Sequence, residues 1–256
     1  MDILITGAAS RLGQAIAEEL GSDHQLRLLD SVPERAPDGL EENVEWIRGS
    51  ILDSDLAWRA VRGMDIVIHT GEAPEDLPED EVERDQVLLD LATRGTHVLF
   101  KAGVEAGVKR FVYASTLEVF EAYPDDVYLS EFWKPLPAPE MEQMSRYLGE
   151  LTCREFARDH RVTVTALRLG RLVLEEEVEG EAPDLMWLDL RDAARAFRCV
   201  LNREAGGQVL WTRRFAMIHV CAGIPNPKYL IDQAAAAGFE PEHNFEGHFP
   251  AEGGAA

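Results

Sequence analysis

The 256-residue chain has little of what several function classes require. Its three cysteines, Cys153, Cys199 and Cys221, are odd in number and widely spaced, with no C-x-x-C pair. That pattern argues against disulfides or a thiolate metal site and for idle thiols in a reducing compartment. No apolar run approaches the roughly 20 residues that cross a bilayer, and no basic segment followed by an apolar stretch opens the chain. A soluble, cytoplasmic protein is expected. Positive charge is also short: 25 Lys and Arg against 47 Asp and Glu leave a formal net charge of −22. Nucleic acid and anionic membrane surfaces attract basic patches, so neither is expected as a partner. Solubility and life in high salt both account for the acidity. The histidines show no H-E-x-x-H or other ligand spacing, so no metal is expected. There is no Ser nucleophile elbow. No G-K-[ST] follows Gly13, which excludes a P-loop.

What is present begins at the N-terminus. Ile3, Leu4 and Ile5 form a short apolar run that reads as a buried parallel strand. Gly7 and Gly13 bracket a turn, and Gln14 to Leu20 follow with helical periodicity. Strand, glycine turn and helix suit a dinucleotide pyrophosphate. The turn lets backbone approach the phosphates, and the helix N-terminus offers unpaired N–H groups and a positive dipole end. A second run, Gln25 to Leu29, ends in Asp30. A carboxylate there can accept hydrogen bonds from both adenosine ribose hydroxyls and would repel a 2′-phosphate, which favours NAD over NADP. The plainer alternative is a turn cap before Pro33.

Strand and helix signals then alternate. Strands are expected at Val44 to Ile47, Asp65 to His69, Phe111 to Ala114 and Val162 to Leu167. Helices are expected from about Ser54 to Val61, Asp85 to Ala106 and Glu140 to His160. Glu72 to Glu83 and Tyr123 to Pro139 read as loops. Such alternation predicts an α/β fold, a Rossmann doubly wound parallel sheet, over residues 1–170. After Gly170 the pattern loosens. Glu175 to Glu181 is a charge run, Arg191 to Leu201 a helix, Gln208 to Trp211 a strand and Lys228 to Ala237 a helix. Residues 171–256 are expected to be a small cap that does not fold alone.

Thr6-Gly7-Ala8-Ala9-Ser10-Arg11-Leu12-Gly13 resembles the T-G-x-x-G-x-x-G fingerprint of the extended short-chain dehydrogenase/reductases, the superfamily that includes NAD-dependent epimerases and dehydratases. Gly63 to His69, Arg94-Gly95-Thr96, Ala106 to Thr116, Tyr147, Glu155, Leu167 to Gly170 and Trp187 to Arg195 continue the match. The short length and the ending look most like the uronate-dehydrogenase-like branch. The resemblance implies a Rossmann fold, a bound NAD (NADP less so), and cofactor contacts from Gly7, Ser10, Arg11, Leu12, Gly13, Asp30, Ser50 and Ile51. It also implies a small-molecule substrate and a homodimer through the 85–106 and 140–160 helices.

Four positions depart from the pattern. Ser10 replaces the middle glycine, where its Cβ crowds the pyrophosphate or its hydroxyl bonds a phosphate oxygen. Ser50 replaces an Asp that contacts the adenine amine. Ala92 replaces an Asn. The fourth lies in the catalytic Y-x-x-x-K pair: Tyr147 is followed at i+4 by Leu151. The two positions share a helix face, so Leu151 occupies the lysine slot. By spacing, Arg146 and Arg154 point away from that face. The family's lysine lowers the tyrosine pKa and holds the nicotinamide ribose. A free tyrosine, with a pKa of about 10, is ionised in about one molecule in a thousand at neutral pH; recovering three units takes about 4 kcal/mol.

Thr116 stands where the family's catalytic hydroxyl lies, with Ser115 beside it; capping the next helix is its plainer role. Two functions remain open. One is a catalytically impaired relative that binds NAD, or nothing. The other is an active NAD-dependent oxidoreductase or epimerase on a sugar, sugar acid or small polyol, using Thr116 and Tyr147.

Overall fold

A computed structural model describes residues 1–33, 43–74 and 77–249. The first unit is strand β1 (Asp2–Thr6), helix α1 (Arg11–Gly21) and strand β2 (Gln25–Asp30). Then come β3 (Val44–Arg48), α2 (Ser54–Val61) and β4 (Ile66–His69). The expected long helix is α3 (Glu81–Asp90), a π turn (Leu91–Gly95) and α4 (Thr96–Ala106). It starts four residues before the expected Asp85 because Asp80 caps it, accepting the Glu83 N–H at 3.0 Å. Strand β5 (Arg110–Thr116), a 3-10 turn (Leu117–Phe120), α5 (Met141–Asp159) and β6 (Thr163–Leu169) follow. The remainder holds β7 (Arg171–Val173), a 3-10 turn (Glu175–Val178), β8 (Trp187–Asp189), α6 (Leu190–Val200), α7 (Trp211–Arg214), β9 (Phe215–Val220) and α8 (Asp232–Ala236).

Seven strands form one parallel sheet in the order β3-β2-β1-β4-β5-β6-β9. Side chains alternate along β1. Ile3 and Ile5 enter the core shared with Ile16 and Leu20 of α1 and Phe197 of α6. Leu4 enters the opposite core with Leu99, Phe100 and Phe156 of α4 and α5. Both faces are therefore covered, as a parallel sheet requires. The order reverses between β1 and β4, which opens a crevice at the carboxyl ends of those strands.

The last third departs from expectation in three places. The sheet continues past residue 170, because β9 pairs with β6 from Val164↔Phe215 to Leu169↔Val220. Gln208 to Leu210 is a bend leading into α7, which Trp211 opens, rather than a strand. The buried Arg214 guanidinium holds it there, donating to the carbonyls of Gln208 and Val209 as well as Ala157 and Arg158 of α5. The helix expected from Lys228 starts only at Asp232. Its first residues instead bridge the 123–139 loop, where Leu129 donates to Lys228 O at 2.7 Å and Leu230 donates to Leu129 O at 2.9 Å. Residues 250–256 and the Pro-containing stretch after Pro33 lie outside the described residues.

Candidate functional site

The crevice between β1 and β4 opens into a cavity of about 560 Å3 lined by Gly7, Ser10, Asp30, Ser50 and Ile51 among others. Five of the residues expected to hold a cofactor thus share one groove. Gly7 has φ +66°, and a Cβ there would collide with Thr70 Oγ1; on Gly13 it would collide with Gly7 O. Both glycines are required by close approach, of strand β4 to the loop and of α1 to β1. Ser10 is accommodated because its φ of −67° and ψ of 160° suit any residue. Its hydroxyl donates to Gly7 O at 2.7 Å and accepts the Gly13 N–H at 3.0 Å. The serine therefore caps α1, and its proton is used within the loop rather than on a phosphate. The first-turn N–H groups of Arg11 and Leu12 have no partner within the helix.

The side chains of those two residues point elsewhere. Leu12 is buried in the α1 core. Arg11 makes a two-pronged pair with Glu177, both distances 2.8 Å, on an exposed surface. Asp30, which lines the cavity, accepts the Ala9 N–H at 2.9 Å and the Val32 N–H at 3.3 Å, so it pins the glycine loop and retains acceptor capacity on both oxygens. Leu52, Val87 and Leu91, which sequence reasoning did not single out, supply an apolar end beside Ile51. Ile51 packs against Gly95, where a Cβ would stand 2.8 Å from its Cδ1. Ala92 lies in the π turn, its carbonyl 3.2 Å from where a Gly149 Cβ would stand.

His69 lines the groove and bonds Thr6 Oγ1 at 2.7 Å and Thr96 Oγ1 at 3.0 Å. Burial, and secondarily the Arg146 charge, push its pKa down to about 3. Burial and the Arg168 charge do the same to His219, also to about 3. Both are neutral in the fold and protonate near pH 6.5 when the chain unfolds. The unfolded state therefore takes up protons that the folded state refuses as pH falls from about 6.5 towards about 3. Stability should drop across that window by as much as about 1.4 kcal/mol per pH unit for each histidine. Urea midpoints from pH 8 down to 5 check this, and His219→Leu should roughly halve the slope.

The expected catalytic residues lie outside the lining of this cavity. Thr116 accepts the Glu118 N–H at 3.1 Å and caps the 3-10 turn, its plainer role. Ser115 is buried and donates to Glu150 Oε2 at 2.9 Å. Its hydroxyl belongs to a core network with Glu150 and Arg168. Tyr147 is half-buried against the apolar cluster containing Leu117, Phe120 and Tyr229. Leu151, also half-buried, follows one turn later on α5. Arg154 pairs with Glu155 at the surface. Arg146 is different: its guanidinium crosses to the end of β4, bonding Thr70 O at 2.7 Å and Glu72 at 2.9 Å. Among the described residues no group of three His, Cys, Asp or Glu could hold a metal, and no helix is long and apolar enough to cross a membrane.

A family model described as the NAD dependent epimerase/dehydratase family matches residues 3–186. An NAD-dependent glucose-6-phosphate dehydrogenase of Haloferax volcanii is 28% identical over 259 residues, across 94% of this chain and 93% of its own. An L-arabinose 1-dehydrogenase (NAD(P)(+)) of the same organism is 27% identical over 217 residues, across 77% of this chain and 80% of its own. A solved uronate dehydrogenase variant from Agrobacterium tumefaciens, complexed with NAD, shares the fold with a TM-score of 0.74 at 20% identity. That likeness spans 99% of this chain and 91% of the other.

Proposed function

The chain belongs to the NAD-dependent epimerase/dehydratase family, and from that premise we propose that it binds NAD in the β1–β4 crevice while its hydride chemistry is impaired. The reading is carried by Leu151 standing one turn after Tyr147 on α5, in a chain whose glycine loop and Asp30 line an intact groove. The residues fit the adenosine half. The Gly7–Gly13 loop and the first-turn N–H groups of α1 would take the pyrophosphate. Asp30 would take the ribose hydroxyls, and Ile51, Leu52 and Leu91 would flank the adenine. A bound nicotinamide would supply hydride acceptance or donation.

The chain's own part in that chemistry is where it falls short. Tyr147 would have to take or give a proton at its phenol oxygen, and Leu151 lends neither positive charge nor a hydrogen bond to the ribose. The second reading, an active enzyme on a sugar, sugar acid or polyol, draws on one feature. The Thr116 hydroxyl uses only its acceptor on Glu118, which leaves its proton for a substrate oxygen. Both relatives named above are sugar dehydrogenases by their names.

NADH fluorescence titration, run beside a screen of aldoses, uronates and polyols with NAD, tests the proposal. Saturable NADH binding with turnover near background is expected. Rapid turnover by the unaltered protein would overturn the impairment, and no binding at millimolar NADH would overturn the site. The reading also includes a homodimer through α3, α4 and α5, to which Val82 and Leu89 on α3 offer exposed apolar side chains; light scattering reports the mass. It places the protein in the cytoplasm, where three free thiols stay reduced.

A further inference from the structure

Resting on the cofactor reading, we propose that Arg146 neutralises Glu72 on the β4 wall of the groove, across from Asp30, so that the wall tolerates the dinucleotide's phosphates. The sheet order fixes where that wall lies. Asp30 ends β2 on one side of β1, and Thr70 to Glu72 follow β4 on the other. A dinucleotide laid over the glycine loop from Asp30 therefore runs towards Thr70–Glu72.

Arg146 reaches that wall from α5, one residue before Tyr147. Its Nη1 donates to Thr70 O at 2.7 Å, and a Cβ on Gly71 would stand 3.1 Å from the same nitrogen. Thr70 in turn closes on the glycine loop: its hydroxyl bonds Thr6 O at 2.9 Å and fills the space a Gly7 side chain would need. The guanidinium is thus separated from the pyrophosphate loop by one residue. Its side chain is 20% exposed, so water screens it weakly.

The groove needs such a charge. Asp30, Glu72, Glu83 and Asp90 all line it, and none of the described lining residues is Lys or Arg. A dinucleotide brings two phosphate charges into this acidic surface. Arg146 cancels Glu72, its partner at 2.9 Å, and leaves that wall neutral instead of negative. It acts as a positioning residue, through the charge it places behind Thr70 and Gly71.

A charge cycle with NADH as the probe tests this. Relative to the unaltered protein, Glu72→Gln removes a negative charge and raises the wall's net charge by one unit, Arg146→Met removes a positive charge and lowers it by one, and the double variant restores the balance. NADH affinity should therefore rank Glu72→Gln first, the unaltered protein and the double variant together in the middle, and Arg146→Met last. Each step should be roughly tenfold, the scale for one unit charge about 10 Å away at an effective dielectric of about 20. Arg146→Lys should bind as the unaltered protein does.

A double variant as weak as Arg146→Met would mean that Arg146 only braces the β4 loop, and would overturn the inference. So would equal affinity across the set. Glu72 is partly exposed, so Glu72→Gln should fold even if Arg146→Met does not, and a failure of Glu72→Gln to tighten binding is decisive alone. Absence of NADH binding in every variant would instead sink the cofactor reading, and this inference with it.

Discussion

Leu151→Lys is expected to raise any NAD-dependent oxidation by this protein about a hundredfold in kcat, the lower end of what positioned acid–base groups contribute. The expectation follows from helix geometry. Helix α5 runs unbroken from Met141 to Asp159, so residue 151 stands one turn beyond Tyr147 on the same face. Leu151 is half-buried, so an ammonium there keeps some water while it meets the site. Such a charge favours the phenolate of its neighbour, and it adds a donor for a ribose hydroxyl. The variant should also tighten NADH, which separates a gain in binding from a gain in chemistry when kcat and KM are measured together. A rate unchanged or lowered, with NADH still bound, would mean that Tyr147 and residue 151 do not face the same substrate.

The largest expected loss of stability comes from Arg168→Met, at about 3–5 kcal/mol. Arg168 on β6 meets Glu150 on α5 through two bonds, 2.9 and 2.7 Å, with side chains 1% and 3% exposed. Ser115 adds a third bond to the same carboxylate at 2.9 Å. The guanidinium also lies 4.9 Å over the Phe120 ring. Removing the arginine leaves a buried carboxylate held by one hydroxyl. Removing both charges, as in Glu150→Leu with Arg168→Met, leaves apolar bulk in their place and should be far milder. Guanidinium-chloride unfolding of the single and double variants checks the difference. Equal losses would mean that side-chain volume, not charge, sets the stability of this junction. Glu150 stands three residues after Tyr147, so the same pair fixes the rotation of α5 that presents the phenol.

The first 170 residues were legible because their signals are local. Apolar runs bounded by glycine, and a cap such as Asp53, decide each element without help from distant chain. The glycine loop is legible for the same reason: positive φ at Gly7 and close approach at Gly13 leave no choice of residue. The last third is decided at long range. Arg214 holds its bend by reaching α5, and Lys228 to Leu230 spend backbone bonds on a loop a hundred residues earlier. The bond from Ser115 to Glu150 is not legible either, because nothing near Ser115 in sequence shows Glu150 beneath it. Helix spacing alone directs Arg146 away from the face of Tyr147 and Leu151. Its long side chain leaves its own helix face and ends at β4, a distance that periodicity does not encode.

The most direct measurement is a calorimetric titration of the unaltered protein with NADH and with NADPH under the same conditions. NADH should bind saturably below millimolar concentration, and NADPH should bind at least about tenfold more weakly, because the Asp30 carboxylate repels a 2′-phosphate. Heat of dilution alone from both nucleotides up to several millimolar would contradict the account.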